Sequence, residues 1–74
     1  MTIKYKAFIE PEDDGGFHAW VPALPGCHVQ GDTKEEALKN LQEAVLLYIE
    51  SLKAHGEEIP NDIEIETTNV EVSI

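Results

Sequence analysis

Thr33-Lys34-Glu35-Glu36-Ala37-Leu38-Lys39-Asn40-Leu41-Gln42-Glu43-Ala44-Val45-Leu46-Leu47-Tyr48-Ile49-Glu50-Ser51-Leu52-Lys53-Ala54-His55-Gly56 carries the start, the face and the stop of one long helix. Thr33 and Glu36 have capping-box spacing: the hydroxyl can accept from the Glu36 amide while the Glu36 carboxylate reaches back. Glu35 and Glu36 also put negative charge in the first turn, where the helix dipole favours it. At 100° per residue, Leu38, Leu41, Val45, Tyr48, Ile49 and Leu52 form one apolar stripe flanked by Ala37 and Ala44. Glu36, Lys39, Asn40, Glu43, Glu50 and Ser51 lie away from it. Gly56 suits the left-handed residue that follows a helix, and Pro60 forbids continuation. The spacing predicts a helix over Lys34 to His55.

A single amphipathic helix must bury its stripe on something, and the upstream residues read as a sheet. Ile3 to Glu10 alternates, with Ile3, Tyr5, Ala7 and Ile9 on one side. Pro11-Glu12-Asp13-Asp14-Gly15-Gly16 is turn chemistry. In Phe17 to Val21 the odd residues again share a side, opposite His18 and Trp20. Pro22-Ala23-Leu24-Pro25-Gly26 is a tight corner, with Leu24 placed to cap the core, and Cys27 to Gln30 is a short third strand. Short connections make the three strands an antiparallel meander. Downstream, Ile63 and Ile65 share one parity and Val70, Val72 and Ile74 the other, so the phase changes at Thr67-Thr68-Asn69. The expectation is a final strand over Asn69 to Ile74, with a second extended piece at Ile63 to Glu66. The order is then β-β-β-α-β, a two-layer α+β domain spanning residues 1–74 with one long helix on one face of the sheet.

Composition narrows the function classes. The chain has 74 residues, with 15 Asp and Glu against 5 Lys and Arg, and a net charge of −10. The balance is −3 through Asp32 and −7 beyond it. Such a surface repels phosphates, so nucleic-acid binding by this chain alone is not expected. It would steer a basic partner, although acidic surfaces also simply keep small proteins soluble. The lone Cys27 cannot form an intramolecular disulfide, which favours a reducing compartment. The N-terminus has no signal-peptide pattern and no stretch reaches membrane-spanning length, so a cytoplasmic location is expected.

Asp14-Gly-Gly-Phe-His-Ala-Trp-Val-Pro-Ala-Leu-Pro-Gly-Cys27, followed by Gly31-Asp32-Thr33 and Glu36-Ala37, resembles the HicB-like antitoxin domain of bacterial and archaeal HicA–HicB systems. Gly56 and Ile59-Pro60 extend the likeness over nearly the whole chain. The resemblance implies a curtailed ribonuclease-H-like fold with the fourth strand beside the first, in sheet order 3-2-1-4. It also implies a protein that neutralises HicA, a small basic ribonuclease with an active-site histidine, by covering its surface. Many family members continue into a helix-turn-helix or ribbon-helix-helix segment that binds promoter DNA. The residues up to Ile74 hold none, so promoter binding is not expected.

No catalytic constellation stands out. Nuclease chemistry on such a fold needs clustered carboxylates around metal ions, and the first strand holds none between Ile3 and Ile9. The acids from Glu10 to Asp14 lack calcium-loop spacing and read as a solvated turn. His18, Cys27 and His28 are the one transition-metal set to weigh. Adjacent strand residues point to opposite faces, however, so Cys27 and His28 cannot close on one ion, and no metal, cofactor or catalytic residue is assigned. Binding is the better expectation. The sheet face away from the helix would carry Phe8, His18, Trp20 and His28 beside Lys4 and Lys6, and Leu47 lies opposite the helix stripe; such groups call for a partner or a second copy. Asp13 and Asp14 are candidate steering charges. The first reading is an antitoxin-like module that docks a basic HicA-type ribonuclease. The alternative is an orphan homo-oligomer, a dimer or tetramer formed through the open face or an edge strand, without toxin or activity.

Overall fold

A computed structural model describes residues 2–74. Three antiparallel strands, β1 (Phe8–Pro11), β2 (Phe17–Trp20) and β3 (His28–Gly31), form a sheet in the order β1-β2-β3. The helix α1 (Lys34–Ala54) packs across one face, chiefly over β3 and β2. The α+β class, the meander and the long helix agree with the reading of the residues.

The helix termini follow the side chains that specify them. Thr33 Oγ1 accepts from the Glu36 amide at 3.0 Å. The Glu36 carboxylate reaches back one residue further than expected, accepting from the Asp32 amide at 3.2 Å. At the other end, Gly56 takes φ +69, its amide donates to the Lys53 carbonyl, and the Glu57 amide donates to that of Leu52. This Schellman pair satisfies carbonyls that the helix leaves without partners. His55 is the cap rather than the last helical residue.

Ala19, Val21, Ala23, Leu24, Cys27, Ala37, Leu41 and Ile49 form the core, with Ile9, Phe17, Val29, Val45, Tyr48 and Leu52 packed around it. The stripe is therefore rotated from the expected one. Ala37 is fully buried and Leu38 is left 42% exposed, because the helix sits over β2 and β3 rather than centrally. Leu24 is fully buried at the proline corner, where the Cys27 amide closes a turn onto the Leu24 carbonyl and Gly26 takes φ +82. That left-handed φ suits glycine.

Two expected strands differ. The first does not span Ile3 to Glu10; it begins at Phe8. Extending the register that pairs Phe8 with Trp20 would put Pro22, which has no N–H, opposite Lys6. Val21 instead donates to the Cys27 carbonyl, and the Lys6 amide donates to Asp62 Oδ2 at 3.0 Å. Residues 2–7 thus form an extended arm without a ladder. The fourth strand at Asn69 to Ile74 is also absent, as is any strand at Ile63 to Glu66, so order 3-2-1-4 reduces to three strands. Ile63 packs against the core and fixes one parity; Val70, Val72 and Ile74, in the other phase, remain exposed.

Asp62 ties this C-terminal segment to the arm. Lys6 Nζ lies 3.2 Å from Asp62 Oδ2 and donates to the Ile63 carbonyl, and Tyr5 Oη donates to the Pro60 carbonyl at 2.6 Å. Partial burial pushes the Asp62 carboxyl up, but hydrogen bonds from Lys6 and the Ile63 amide, with the Lys6 charge, outweigh it and hold the group below its usual range. A carboxyl held low in the fold adds stability that is present at neutral pH and is lost as pH falls through the carboxylate range.

Gly31 sets how closely the helix can approach the sheet. A Cβ there would lie 2.5 Å from the Ala37 amide nitrogen and 2.8 Å from its Cα, both backbone atoms. Gly31→Ala must therefore push the first helical turn off β3. The expected loss is about 2 kcal/mol, or roughly 10 °C in melting temperature for a domain of this size. Thermal denaturation checks it, and an unchanged melting temperature would show that the first turn gives way without cost.

Candidate functional site

The helix covers one face of the sheet, and the other face carries a row of side chains set by strand register. Phe8 pairs with Trp20 and Trp20 with His28; Glu10 pairs with His18 and His18 with Gln30. Alternation puts these six on the face opposite Ile9, Ala19 and Val29. Pairing across the Pro22–Gly26 corner thus sets His18 against Gln30 and His28 against Trp20.

The aromatic groups shield one another. The Trp20 ring lies 5.5 Å from Phe8 and 4.9 Å from His18, centroid to centroid, with His18 stacked on it at 21°. His18 and His28 are nearly parallel, 4° apart, with centroids at 5.1 Å. Phe8, His18 and Trp20 are half-buried, while His28 is exposed. No element of the described residues lies over them, so the patch is preassembled and open. Preassembly matters for binding because rigid aromatic side chains lose little entropy when a partner covers them.

Hydrogen bonds order the polar half of the face. His18 Nε2 lies 2.9 Å from His28 Nδ1, and His18 Nδ1 lies 3.4 Å from Glu10 Oε1. The Glu10 carboxylate can only accept, so His18 Nδ1 is the donor in that contact. One proton lies between the two rings. The geometry also disfavours a metal: the nitrogens face each other, and Cys27 is buried on the opposite side with its thiol pushed up by burial. A buried, protonated thiol is a packing group.

The other expected interface residues are not gathered here. Asp13 and Asp14 sit in the β1–β2 turn, beyond the Pro11–Phe17 end of the hairpin, while Phe8 and Trp20 are at its far end. Asp14 Oδ1 accepts from the Gly16 amide and holds that turn. With Glu12, Asp32 and Glu36 they make this end of the molecule acidic. Leu47 is 66% exposed on the helix, which packs on the other face, so it is no part of the patch. Lys4 and Lys6 fall in the arm rather than on the sheet, and Lys6 is engaged by Asp62. Glu10 was missed among the candidates. Its parity with Phe8, combined with a Pro11 to Gly16 turn, places it opposite His18, so the signal was present in the hairpin register.

The family model for the HicB_like antitoxin of bacterial toxin–antitoxin systems matches residues 5–73. The chain belongs to the HicB-like antitoxin family. It is 53% identical over 66 residues to a UPF0150 protein of Thermoplasma acidophilum, covering 89% of this chain and 96% of that one. It is 34% identical over 59 residues to the protein named antitoxin HicB 1 of Photorhabdus laumondii, covering 80% of this chain but 38% of that longer protein. Among solved structures, the N-terminal domain of Burkholderia pseudomallei antitoxin HicB superposes with a TM-score of 0.67 at 28% identity, over 85% of this chain and 69% of that one. Membership in this family points to an antitoxin role and to a binding module rather than an enzyme. No helix of the described residues is long and apolar enough to cross a membrane.

Proposed function

We propose that this HicB-like chain is the antitoxin of a toxin–antitoxin pair, a single non-enzymatic cytoplasmic domain that docks a small basic HicA-type ribonuclease and blocks it. One observation carries the reading: in a chain of an antitoxin family, Phe8, His18, Trp20 and His28 form a preassembled aromatic patch on the sheet face that no helix or strand of the described residues covers. Aromatic anchors of this kind supply most of the energy at interfaces, and their polar surround fixes orientation. Occlusion suits the available groups, since the face offers packing surface and one hydrogen-bonded histidine pair, with no nucleophile and no carboxylate cluster. Binding of DNA by the chain alone is not part of the proposal, because a net charge of −10 opposes it.

The test is reconstitution. The product of the reading frame adjacent to this gene is co-expressed with the chain, the complex is purified, and RNA cleavage is measured with and without the chain. Stoichiometric inhibition is expected. A partner ribonuclease that keeps full activity under saturating chain would overturn the reading.

Charge should act on the rate of encounter. Opposite potentials raise association rates, and the effect is screened within about 8 Å at physiological salt. Asp13→Asn with Asp14→Asn removes two charges from the exposed turn while leaving a side chain that can still hold Gly16. Association should slow by roughly threefold at low salt, with dissociation little changed. Stopped-flow or surface-based kinetics across a salt series measures this; an association rate indifferent to salt and to both substitutions would refute steering.

A further inference from the structure

Two extended segments of this chain are left without a strand partner, and each has what the other lacks. The arm, residues 2–7, borders an apolar groove that it shares with α1. Because the helix sits over β2 and β3, the β1 side of the molecule stays open there. Ile3, Leu38, Val45 and Leu46 line this groove, whose two parts hold about 210 and 360 Å³. Ile3 is 42% and Leu46 58% exposed. The second segment is residues 69–74, in which Val70, Val72 and Ile74 alternate with Glu71 and Ser73. Val70 is 82% and Val72 73% exposed, and Ile74 is fully so. β-branched residues at period two make a strand that needs an apolar surface along one side.

The segment does not lie on its own groove. The molecule extends 52 × 28 × 20 Å, with a radius of gyration of 14.9 Å. A compact chain of this length would have about 11 Å. Charge matches the two pieces locally, although the chain as a whole is acidic. Lys4 lies in the arm and Lys53 lines the groove, two of only five basic residues, while the segment carries one charge, the acid Glu71.

We infer that a second copy of this chain is the occupant: residues 69–74 of one protomer add as a strand beside the arm of the other, with Val70 and Val72 in the groove. Apart from the Lys6 amide, which Asp62 holds, the arm makes no backbone hydrogen bond among the described residues, and the groove reads alternate side chains, the two requirements of strand addition. Each copy offers one strand and one groove, so the exchange is reciprocal and closes as a two-fold dimer. This gives the arm a strand partner in trans and leaves the aromatic face free. It therefore goes beyond the antitoxin proposal and does not depend on a toxin.

Sedimentation velocity on the full chain should give twice the monomer mass at micromolar concentration. Val70→Asp/Val72→Asp and, separately, Leu46→Asp should each weaken self-association at least tenfold. All three positions are exposed, so the circular dichroism spectrum should not change. Mixing the two variants should restore a dimer, because one retains an intact groove and the other an intact strand. A monomer at every concentration would overturn the inference, as would a dimer that neither variant weakens. So would an Ile3→Cys/Val72→Cys chain that crosslinks only within one polypeptide.

Discussion

Leu24→Ala is expected to be the most damaging single truncation in this chain, lowering the unfolding free energy by about 3 kcal/mol. Leu24 is the largest side chain with no exposure at all. It sits where the proline corner folds back over the core, and its backbone is already committed: its amide donates to the Val21 carbonyl and its carbonyl accepts from Cys27. A corner held at both ends cannot collapse to fill the space, so the cavity persists and its cost adds to the lost burial. For a domain of this length the total stability is on the order of 4–11 kcal/mol, so the variant should retain a fraction of it. Urea denaturation should show a lower midpoint with an unchanged slope. Leu24→Met, which conserves volume, should lose less than about 1.5 kcal/mol. Equal losses for both variants would mean that the corner senses side-chain shape rather than the hole.

The second large effect concerns the open face. Trp20 touches Phe8 and stacks on His18, so it is the hub of the patch. Trp20→Ala should weaken partner binding by at least about 30-fold, which corresponds to 2 kcal/mol or more. Most of the change should appear in the dissociation rate, the reverse of the Asp13 and Asp14 pair. Because Trp20 is half-buried, some loss of stability accompanies the substitution, and binding must be measured under conditions where circular dichroism reports a folded variant. Trp20→Phe keeps a ring in place and should recover most of the affinity. Partner affinity unchanged by Trp20→Ala in a folded chain would remove the aromatic face from the interface.

These effects separate by location. The corner at Leu24 and the close approach at Gly31 govern whether the helix seats on the sheet. The patch around Trp20 does not touch the helix and can be altered at smaller cost to the fold. The groove at Leu46 lies on a third surface, so partner binding and self-association are open to independent measurement.

The elements with local instructions were legible in the sequence. Thr33, Glu36 and Gly56 define the helix because capping is settled within a few residues. The turn residues between Pro11 and Gly16 and the corner from Pro22 to Gly26 defined the meander for the same reason. Parity then placed Phe8, His18, Trp20 and His28 on one face, and the corner's length set His28 opposite Trp20. What failed were statements that depend on a distant partner. Alternation from Ile3 to Ile9 reads as a strand, yet only the register with β2 puts Pro22 opposite Lys6 and ends the ladder at Phe8. Val70, Val72 and Ile74 have the period of a strand, but a strand exists only where another backbone receives it, and Ile63 had already fixed the other phase against the core. Leu38 belongs to the stripe by angle and is left exposed because the helix settles over β2 and β3, a choice made by the fit of Ala37 against Gly31. Local hydrogen bonds and turn chemistry are written into neighbouring residues; edges, registers and helix placement are set by contacts between residues far apart in the chain, and only the tertiary structure decided them.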